Sequence, residues 1–516
     1  MHYTNPIIPG FHPDPSICRV GEDYFLVTST FEYFPGVPLF HSRDLVHWRK
    51  IGHVLTRPSQ LPADPWRPSG GIYAPTLRYH AGTFYMITTN TSTSGNFYVH
   101  TRDPYGEWSD PVWVKQGGID PSLFFDDDGR VYLASTAEVP SPLPAEIDPA
   151  APFFGIQQSE IDIETGALLT EPRIIWHGTG GRWPEGPHLY KIGGRYYLMV
   201  AEGGTEQGHM ETIARGVSPW GPWESCPHNP ILSHRSFHSP LQALGHADLC
   251  QAHDGSWWLV CLGIRTQGYP PTAHLGRETL LAPVRWDDAG WPHVGQEGKL
   301  RVEMDGPTFA TAGTDPIAVH DDFDAPTLGV EWIFLGTPAS IFWSLTDRPG
   351  ALRLQGSAAT LDDGPPVAFV ARRQAHLTCD AAAQLDFDPQ SNGEEAGLTV
   401  WMNPHHHYDL FVTRRAGLRH VAVRRRIGSL IAEVTHVPVP AGPITLMIAA
   451  EPDRYTFAVT GAAGDSQTLA AAEPRYLAPE VAGGFTGVCF ALYTTGGSGS
   501  AATTPVYFDW FDYRAS

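Results

Sequence analysis

Residues 185–201 read EGPHLYKIGGRYYLMVA, and this stretch shows the repeating unit from which the fold can be predicted. A glycine turn at Gly194 is followed three residues later by Tyr197 and an apolar run, as in a tight turn that leads into a buried β-strand. The same unit occurs at residues 21–29, 82–90, 129–136, 194–201 and 255–262. Its glycines are 61, 47, 65 and 61 residues apart, enough for one four-stranded sheet in each period. Five such sheets around one axis predict a five-bladed β-propeller.

A second element of the repeat precedes each glycine turn. Its equivalent positions are Asp14, Ala74, Asp120, Glu185 and His246. If the turn joins the first two strands of a blade, these residues head the innermost strands and converge at one mouth of the central channel. Clustered like charges cost free energy and are usually kept for function, so we interpret three carboxyls and an imidazole at matched positions as a functional site rather than as solvated turns.

Three carboxyls are well suited to hydrolysis of a glycosidic bond. One carboxylic acid protonates the leaving oxygen, and a second carboxylate activates water or attacks the sugar carbon. A third nearby charge can raise the pKa of the acid and keep it protonated near neutral pH.

Three motifs resemble those of glycoside hydrolase family 43. They are NPIIPGFHPDPS at residues 5–16, GIDPSL at 118–123 and WPEGP at 183–187. The resemblance covers about 310 residues and implies an inverting β-xylosidase or α-L-arabinofuranosidase on a five-bladed propeller. It implies that Asp14 is the general base, Glu185 the general acid, and Asp120 the residue that tunes the pKa of the acid and orients it.

The same resemblance implies the substrate contacts. Phe31 corresponds to an aromatic wall of the sugar pocket, and Arg277 to an arginine that contacts sugar hydroxyls and a catalytic carboxylate. Tyr73 stands where many relatives have Trp, so the preferred sugar stays open. His246 corresponds to a channel histidine that in parts of the family helps to hold calcium through water; a hydrogen-bonded core histidine is the equal alternative. The chemistry requires no cofactor, and Ca²⁺ in the channel is the one ion implied.

The β-propeller pattern ends near residue 312, and the small, polar segment 310–316 is interpreted as a linker. We predict a catalytic domain over residues 1–312 and an accessory domain over residues 316–516. Alternating strands such as residues 351–354, 456–459 and 506–513 predict an all-β, concanavalin-like jelly-roll sandwich for the second domain. The resemblance to the family implies that this domain helps to close the pocket rather than binding polysaccharide on its own.

Composition narrows the classes of partner. The chain has 516 residues, 55 acidic against 34 basic, and a net charge of -21, which argues against nucleic acid and anionic membranes. It lacks a run of ~18 apolar residues and a recognisable signal peptide, so we expect no membrane association and a cytoplasmic protein; a trimmed secreted form is the alternative. Resemblance to the family also implies homo-oligomers.

We therefore predict an exo-acting, inverting glycoside hydrolase that releases terminal xylose from β-1,4-xylo-oligosaccharides, with α-L-arabinofuranose as a second substrate. Three alternatives stay open. They are an exo-α-L-arabinofuranosidase with little xylosidase activity, a non-catalytic sugar-binding propeller, and an endo-acting arabinanase, which would need an open cleft.

Overall fold

The computed structural model describes residues 2–61, 66–93, 95–139, 153–310, 318–461, 464–496 and 504–515. The chain forms two compact units. The first comprises residues 1–31, 35–266 and 277–313, and the second comprises residues 32–34, 267–276 and 314–516. Most of the predicted linker, and the predicted domain boundary itself, lie outside the described residues.

The first unit is a five-bladed β-propeller, as predicted. Each blade is an antiparallel meander that follows chain order. Blade 1 consists of Ser16–Val20, Asp23–Val27, Gly36–Ser42 and Arg49–Leu55. Blade 2 consists of Thr76–His80, Thr83–Asn90, Gly95–Thr101 and Val112–Val114. Blade 3 consists of Ser122–Phe125, Val131–Val139, Phe153–Glu160 and Arg173–Trp176. Blade 4 consists of Glu185–Ile192, Arg195–Glu202, Met210–Gly216, Glu224–Ser225 and Leu232–Ser233. Blade 5 consists of Leu241–Gln251, Trp257–Arg265, Glu278–Trp286 and Pro292–Val294.

The first strands of the blades form the inner ring. Each contacts the first strand of the next blade, and the ring closes from blade 5 back to blade 1. The repeated glycines lie in the turns between the first and second strands, and Gly129, for example, has φ 85°. The apolar runs after these turns are buried between blades, where Met199 and Ile213 of blade 4 pack in one cluster with Leu249 and Leu259 of blade 5. The local repeat therefore produces both the strands and the packing of the ring.

The two ends of the first unit are joined. His2–Thr4 pairs antiparallel with Glu303–Asp305. The Asn5 amide exchanges hydrogen bonds with the backbone of Leu281: its Nδ2 donates to the carbonyl (3.0 Å), and its Oδ1 accepts from the N–H (2.9 Å). These contacts tie the N-terminal segment to blade 5.

The second unit contains two antiparallel sheets that share one apolar core, with Leu385 and Phe508 from one sheet and Val400 and Leu410 from the other. One sheet contains Ala318–Asp321, Trp343–Ser344, Leu352–Leu354, Cys379–Asp386, Ile444–Glu451, Arg454–Thr460, Ser466–Ala472 and Val506–Ala515. The other contains Tyr33–Phe34, Ile333–Leu335, Ala368–Arg373, Glu395–Asn403, His406–Arg415, Leu418–Ile427, Leu430–Pro438 and Cys489–Thr495. Two 3-10 helices span Ser340–Phe342 and Pro474–Leu477, and an α-helix spans Pro479–Ala482. This is the predicted sandwich.

Two short segments from within the propeller sequence belong to the second unit. Tyr33–Phe34 pairs with Ile333–Leu335 at the edge of its sheet. The carbonyl of His274, in the segment 267–276, accepts a hydrogen bond of 3.0 Å from the N–H of Val488. Among the described residues no helix is long and apolar enough to cross a membrane.

Candidate active site

Four of the five matched positions of the repeat, Asp14, Ala74, Asp120 and Glu185, lie at or near the start of the inner strands. The prediction was wrong for His246, which lies in the middle of Leu241–Gln251, where the pairing register shifts on either side of Gly245. Three of the five residues, Asp14, Asp120 and His246, adopt left-handed backbone conformations, with φ 55°, 54° and 50°. Such values are uncommon for residues other than glycine and cluster at functional sites. In blade 4 the unusual conformation falls one residue later, at Gly186 (φ 56°), where the strand register also shifts.

Asp14 is buried and well supplied with hydrogen-bond donors. Its Oδ1 accepts a hydrogen bond of 2.8 Å from Nη1 of Arg277, and its Oδ2 accepts one of 2.5 Å from Oγ of Ser29. Nδ1 of His246 lies 3.9 Å from Oδ1. Burial alone would raise the pKa of Asp14, but the charge of Arg277 and the hydrogen bond from Ser29 outweigh it and hold the pKa below its usual value. Asp14 is therefore a carboxylate at neutral pH, as a general base must be.

Glu185 has the opposite tendency. Burial raises the pKa of its carboxyl to about 7, the negative charge of Asp14 adds to this rise, and Arg277 opposes it. A substantial fraction of Glu185 is therefore protonated at neutral pH. This is the state that a general acid needs.

Asp120 is buried and interacts with both other carboxyls. Burial and then the charges of Glu185 and Asp14 raise the pKa of Asp120 well above its usual value, while the N–H of Gly186 and the charge of Arg277 act against the rise. The charge on one of these carboxyls therefore influences the titration of the other, and Asp120 and Glu185 titrate as an interacting pair. The structure brings the three predicted carboxyls into one electrostatic cluster with Arg277.

Aromatic side chains lie next to this cluster. The Phe31 ring centroid is 5.0 Å from that of Tyr73 and 6.0 Å from that of Phe11. The guanidinium carbon of Arg277 lies 5.5 Å from the Phe31 centroid. The Tyr73 hydroxyl donates a hydrogen bond of 3.1 Å to the carbonyl of Ser69, which directs the phenol along its own loop. The predicted contact residues Phe31, Tyr73 and Arg277 are thus neighbours.

His246 is buried beside Asp14, and its ring packs on the backbone of Gly186, where an added Cβ would come within 3.0 Å. Burial lowers the pKa of His246, so the imidazole is neutral. Calcium prefers oxygen ligands. Among the described residues, His246 belongs to no group of three or more imidazole, thiol or carboxylate donors close enough to share an ion. The side chains present do not by themselves form a calcium site, and calcium binding here stays a prediction.

Two polar neighbours of the cluster could not be identified from the sequence. Ser29 follows the second strand of blade 1 in a run of small hydroxyl residues that has no distinguishing pattern. His209 is buried in blade 4, its Nδ1 lies 3.1 Å from the carbonyl of Ala243, and burial lowers its pKa to about 3. Both histidines near Asp14 are therefore neutral, and Arg277 supplies the permanent positive charge.

Comparison with known families supports the resemblance seen in the motifs. The family model described as glycosyl hydrolases family 43 matches residues 3–292. A second, described as a beta xylosidase C-terminal concanavalin A-like domain, matches residues 320–514.

Individual relatives cover nearly the whole chain. A non-reducing end alpha-L-arabinofuranosidase of Bacteroides ovatus is 48% identical over 99% of this chain and 94% of its own length. A xylosidase/arabinosidase of Butyrivibrio fibrisolvens is 37% identical over 98% of both chains. A solved structure from Bacteroides ovatus, described as xyloglucan PUL GH43B, superposes with a TM-score of 0.93 at 46% identity and covers all of both chains.

Proposed function

The chain belongs to glycoside hydrolase family 43, and from that premise we propose that Asp14, Asp120 and Glu185 hydrolyse the terminal, non-reducing pentose of an oligosaccharide with inversion at the anomeric carbon. The single observation that carries this proposal is the opposite environment of Asp14 and Glu185 in one buried cluster. The salt bridge with Arg277 holds the pKa of Asp14 below its usual value, whereas burial raises the pKa of Glu185 to about 7.

Each group then has one task. The Asp14 carboxylate takes a proton from a water molecule, which attacks the anomeric carbon. Glu185 gives its proton to the glycosidic oxygen as the bond to the leaving sugar breaks. Asp120, whose titration is linked to that of Glu185, has the task of tuning the pKa of that group and orienting it. Arg277 and Ser29 hold Asp14 in place through their hydrogen bonds, and the Phe31 and Tyr73 rings offer an apolar wall to one face of the sugar.

The substrate we propose is a terminal xylose or α-L-arabinofuranose. These two sugars present similar hydroxyl geometry to one pocket, and relatives of this chain are named for one or both activities. The relative at 48% identity is named as an arabinofuranosidase, which favours a second candidate, an exo-α-L-arabinofuranosidase with little xylosidase activity. The ratio of kcat/KM on nitrophenyl β-xyloside and nitrophenyl α-L-arabinofuranoside separates them. A preference for arabinose above about tenfold, roughly 1.4 kcal/mol of transition-state binding, selects the second.

Acid and base variants test the proposed roles. Glu185→Gln should lower kcat by about 10²–10⁴-fold on xylobiose or an arabinofuranosyl oligosaccharide, but by much less on a nitrophenyl glycoside, whose leaving group needs little protonation. Asp14→Asn should lower kcat on both kinds of substrate, because both need activated water. Asp127→Asn, an exposed acid in the turn of blade 3, is the matched control and should behave as the wild type.

Two outcomes would contradict the proposal. If Asp14→Asn and Glu185→Gln leave hydrolysis at the wild-type level, the carboxyl cluster is not catalytic. If proton NMR early in the reaction shows a product anomer identical to that of the substrate, the reaction retains configuration and Asp14 does not act through water.

A further inference from the structure

Three metal-ligating side chains meet on the outer part of blades 4 and 5, on strands and loops distinct from those that carry the carboxyl cluster. His228 lies between Glu224–Ser225 and Leu232–Ser233, Asp287 directly follows Glu278–Trp286, and His293 lies in Pro292–Val294. One ligand atom from each lies within 4.8 Å of the other two. Over the described ranges, this is the one group of three or more histidine, cysteine or acidic side chains so arranged.

Both imidazoles point their Nε2 atom toward the same carboxylate oxygen of Asp287. Oδ2 of Asp287 is 3.2 Å from Nε2 of His293 and 3.7 Å from Nε2 of His228. In a tetrahedral zinc site with bonds of about 2.0–2.1 Å, the ligand atoms are about 3.3 Å apart. The two distances from Oδ2 of Asp287 to the imidazole nitrogens are therefore within a few tenths of an ångström of the separation that a zinc ion imposes on its ligand atoms.

The three ligands are also held by the surrounding backbone. Oδ1 of Asp287 accepts a hydrogen bond of 2.8 Å from the N–H of Trp291, so Oδ2 faces the two imidazoles. Oδ2 is hydrogen-bonded to Nε2 of His293 at 3.2 Å, and an ion would replace the proton between these two atoms. His293 is fixed by strand pairing with Arg285. The residue after His228, Asn229, exchanges two hydrogen bonds with the backbone of Ile213. Little ordering is then needed when an ion binds, which favours affinity.

The donor set selects the kind of ion. Two imidazole nitrogens and one carboxylate oxygen suit Zn²⁺ and its neighbours Ni²⁺, Co²⁺ and Cu²⁺, whereas Ca²⁺ and Mg²⁺ need more oxygen ligands. The side chains are 30–47% exposed, so solvent can fill the remaining coordination positions. Because His228 belongs to blade 4 and the other two ligands to blade 5, one ion would join the outer edges of adjacent blades.

We propose that His228, Asp287 and His293 bind one divalent transition-metal ion of the zinc class and that this ion stabilises the propeller by joining blade 4 to blade 5. The site is independent of the carboxyl cluster, so it does not rest on the proposed function. An ion that binds the folded chain raises its Tm by mass action.

Isothermal titration of ZnCl₂ into EDTA-treated, dialysed protein tests the proposal. We expect one ion per chain and a rise in Tm of about 3–6 °C at saturating zinc. His228→Ala and His293→Ala should each abolish both effects. Asp287→Asn keeps an oxygen to accept the Trp291 hydrogen bond but removes the charge, and should weaken zinc binding at least about tenfold.

His436→Ala is the matched control. It removes one imidazole from a surface group of two histidines and a glutamate, His420, His436 and Glu433, that is not arranged to share an ion. Its zinc affinity and its Tm shift should equal those of the wild type. The metal-free Tm of each triad variant should lie within about 1 °C of the wild-type value, since the changed side chains are partly exposed. Absence of zinc binding, binding that survives all three triad substitutions, or binding without a rise in Tm would each overturn the proposal.

Discussion

Asp14 holds the negative charge on which the titration of the other two carboxyls depends. Arg277 and Ser29 both bond to it, and the resulting carboxylate raises the pKa of Glu185. The same arginine lowers the pKa of both carboxyls: it produces the downward shift of Asp14 and limits the upward shift of Glu185. The division into base and acid therefore follows from the salt bridge between Arg277 and Asp14 and from the burial of Glu185 beside the resulting carboxylate.

The pH dependence of kcat/KM follows from these pKa shifts. Glu185 has a pKa raised to about 7, so it is protonated below that pH, and activity should fall as the pH rises through about 7. The pKa of Asp14 is lowered, so the fall on the acidic side should come only below its usual titration range. A pH profile of kcat/KM on an oligosaccharide substrate checks both limbs.

Asp120 should set the position of the alkaline limb. Asp120→Asn removes one of the two interacting carboxyls and the negative charge that it can place beside Glu185, so the pKa of Glu185 should move back toward its usual value and the alkaline limb to lower pH. Asp127→Asn in the exposed turn should leave the profile unchanged. An alkaline limb that does not move in Asp120→Asn would remove Asp120 from the tuning of the acid.

At the scale of elements, the repeat was predictable because every part of it is local. The turn glycine, the aromatic residue and the apolar run lie within nine residues, so the five sheets and the chain position of Asp14, Asp120 and Glu185 could be read from the sequence. The strand Tyr33–Phe34 could not. Two residues show no periodicity, and their partner Phe334 is some 300 residues away in the chain.

The charges and pKa shifts of the carboxyl cluster were harder to predict from the sequence than the strands. Nothing in the sequence predicts the left-handed backbone conformation of Asp14 and Asp120. Each precedes a proline, and any residue type can do so. The charge that raises the pKa of Glu185 most, after burial, is that of Asp14, whereas the motifs suggested Asp120 for this effect. Which carboxyl lies near which cation depends on distances across the ring, and a repeat pattern holds no such distances. The role of Asp120 stays a prediction.

The glycine of the second motif tests how an element positions the site. Gly118 lies two residues before Asp120 and has φ 85°. An added Cβ at this position would come within 1.6 Å of the carbonyl oxygen of Thr136. Gly118→Ala should therefore destabilise the fold by more than about 3 kcal/mol and lower kcat, because the backbone that holds Asp120 must move. Thermal or denaturant unfolding and kcat measure the two effects.

Gly129 provides the control for backbone strain alone. It has the same φ of 85°, but an added Cβ would meet nothing within 4 Å. Gly129→Ala should cost only about 1–2 kcal/mol and leave kcat unchanged. If both variants lose the same stability and keep full activity, steric contact at Gly118 does not position Asp120.

At the largest scale, one buried carboxylate connects four blades of the propeller. Asp248 of blade 5 accepts hydrogen bonds from Arg78 of blade 2 (2.8 Å), Tyr190 of blade 4 (2.7 Å) and Ser16 of blade 1 (2.7 Å). Arg78 also reaches Nδ1 of His188 in blade 4, at 2.8 Å. Burial would raise the pKa of Asp248, but Arg78 above all reverses this and holds it low. The ring is thus closed by a charged network as well as by apolar contacts between blades.

A double-mutant cycle on Arg78 and Asp248 tests what this network contributes to the propeller. Asp248→Leu leaves the guanidinium of Arg78 buried without its partner and should lower the free energy of unfolding by about 3–5 kcal/mol. Arg78→Met should cost a similar amount. The double variant should recover much of the loss, because replacing both charges by apolar groups is often nearly neutral. Denaturant unfolding at pH 7 measures all four free energies.

Additive losses would mean that the two charges act separately and that the ring depends on its apolar contacts alone. A large coupling would mean that Arg78 and Asp248 act as one unit, and that this pair stabilises the ring between blades 2 and 5.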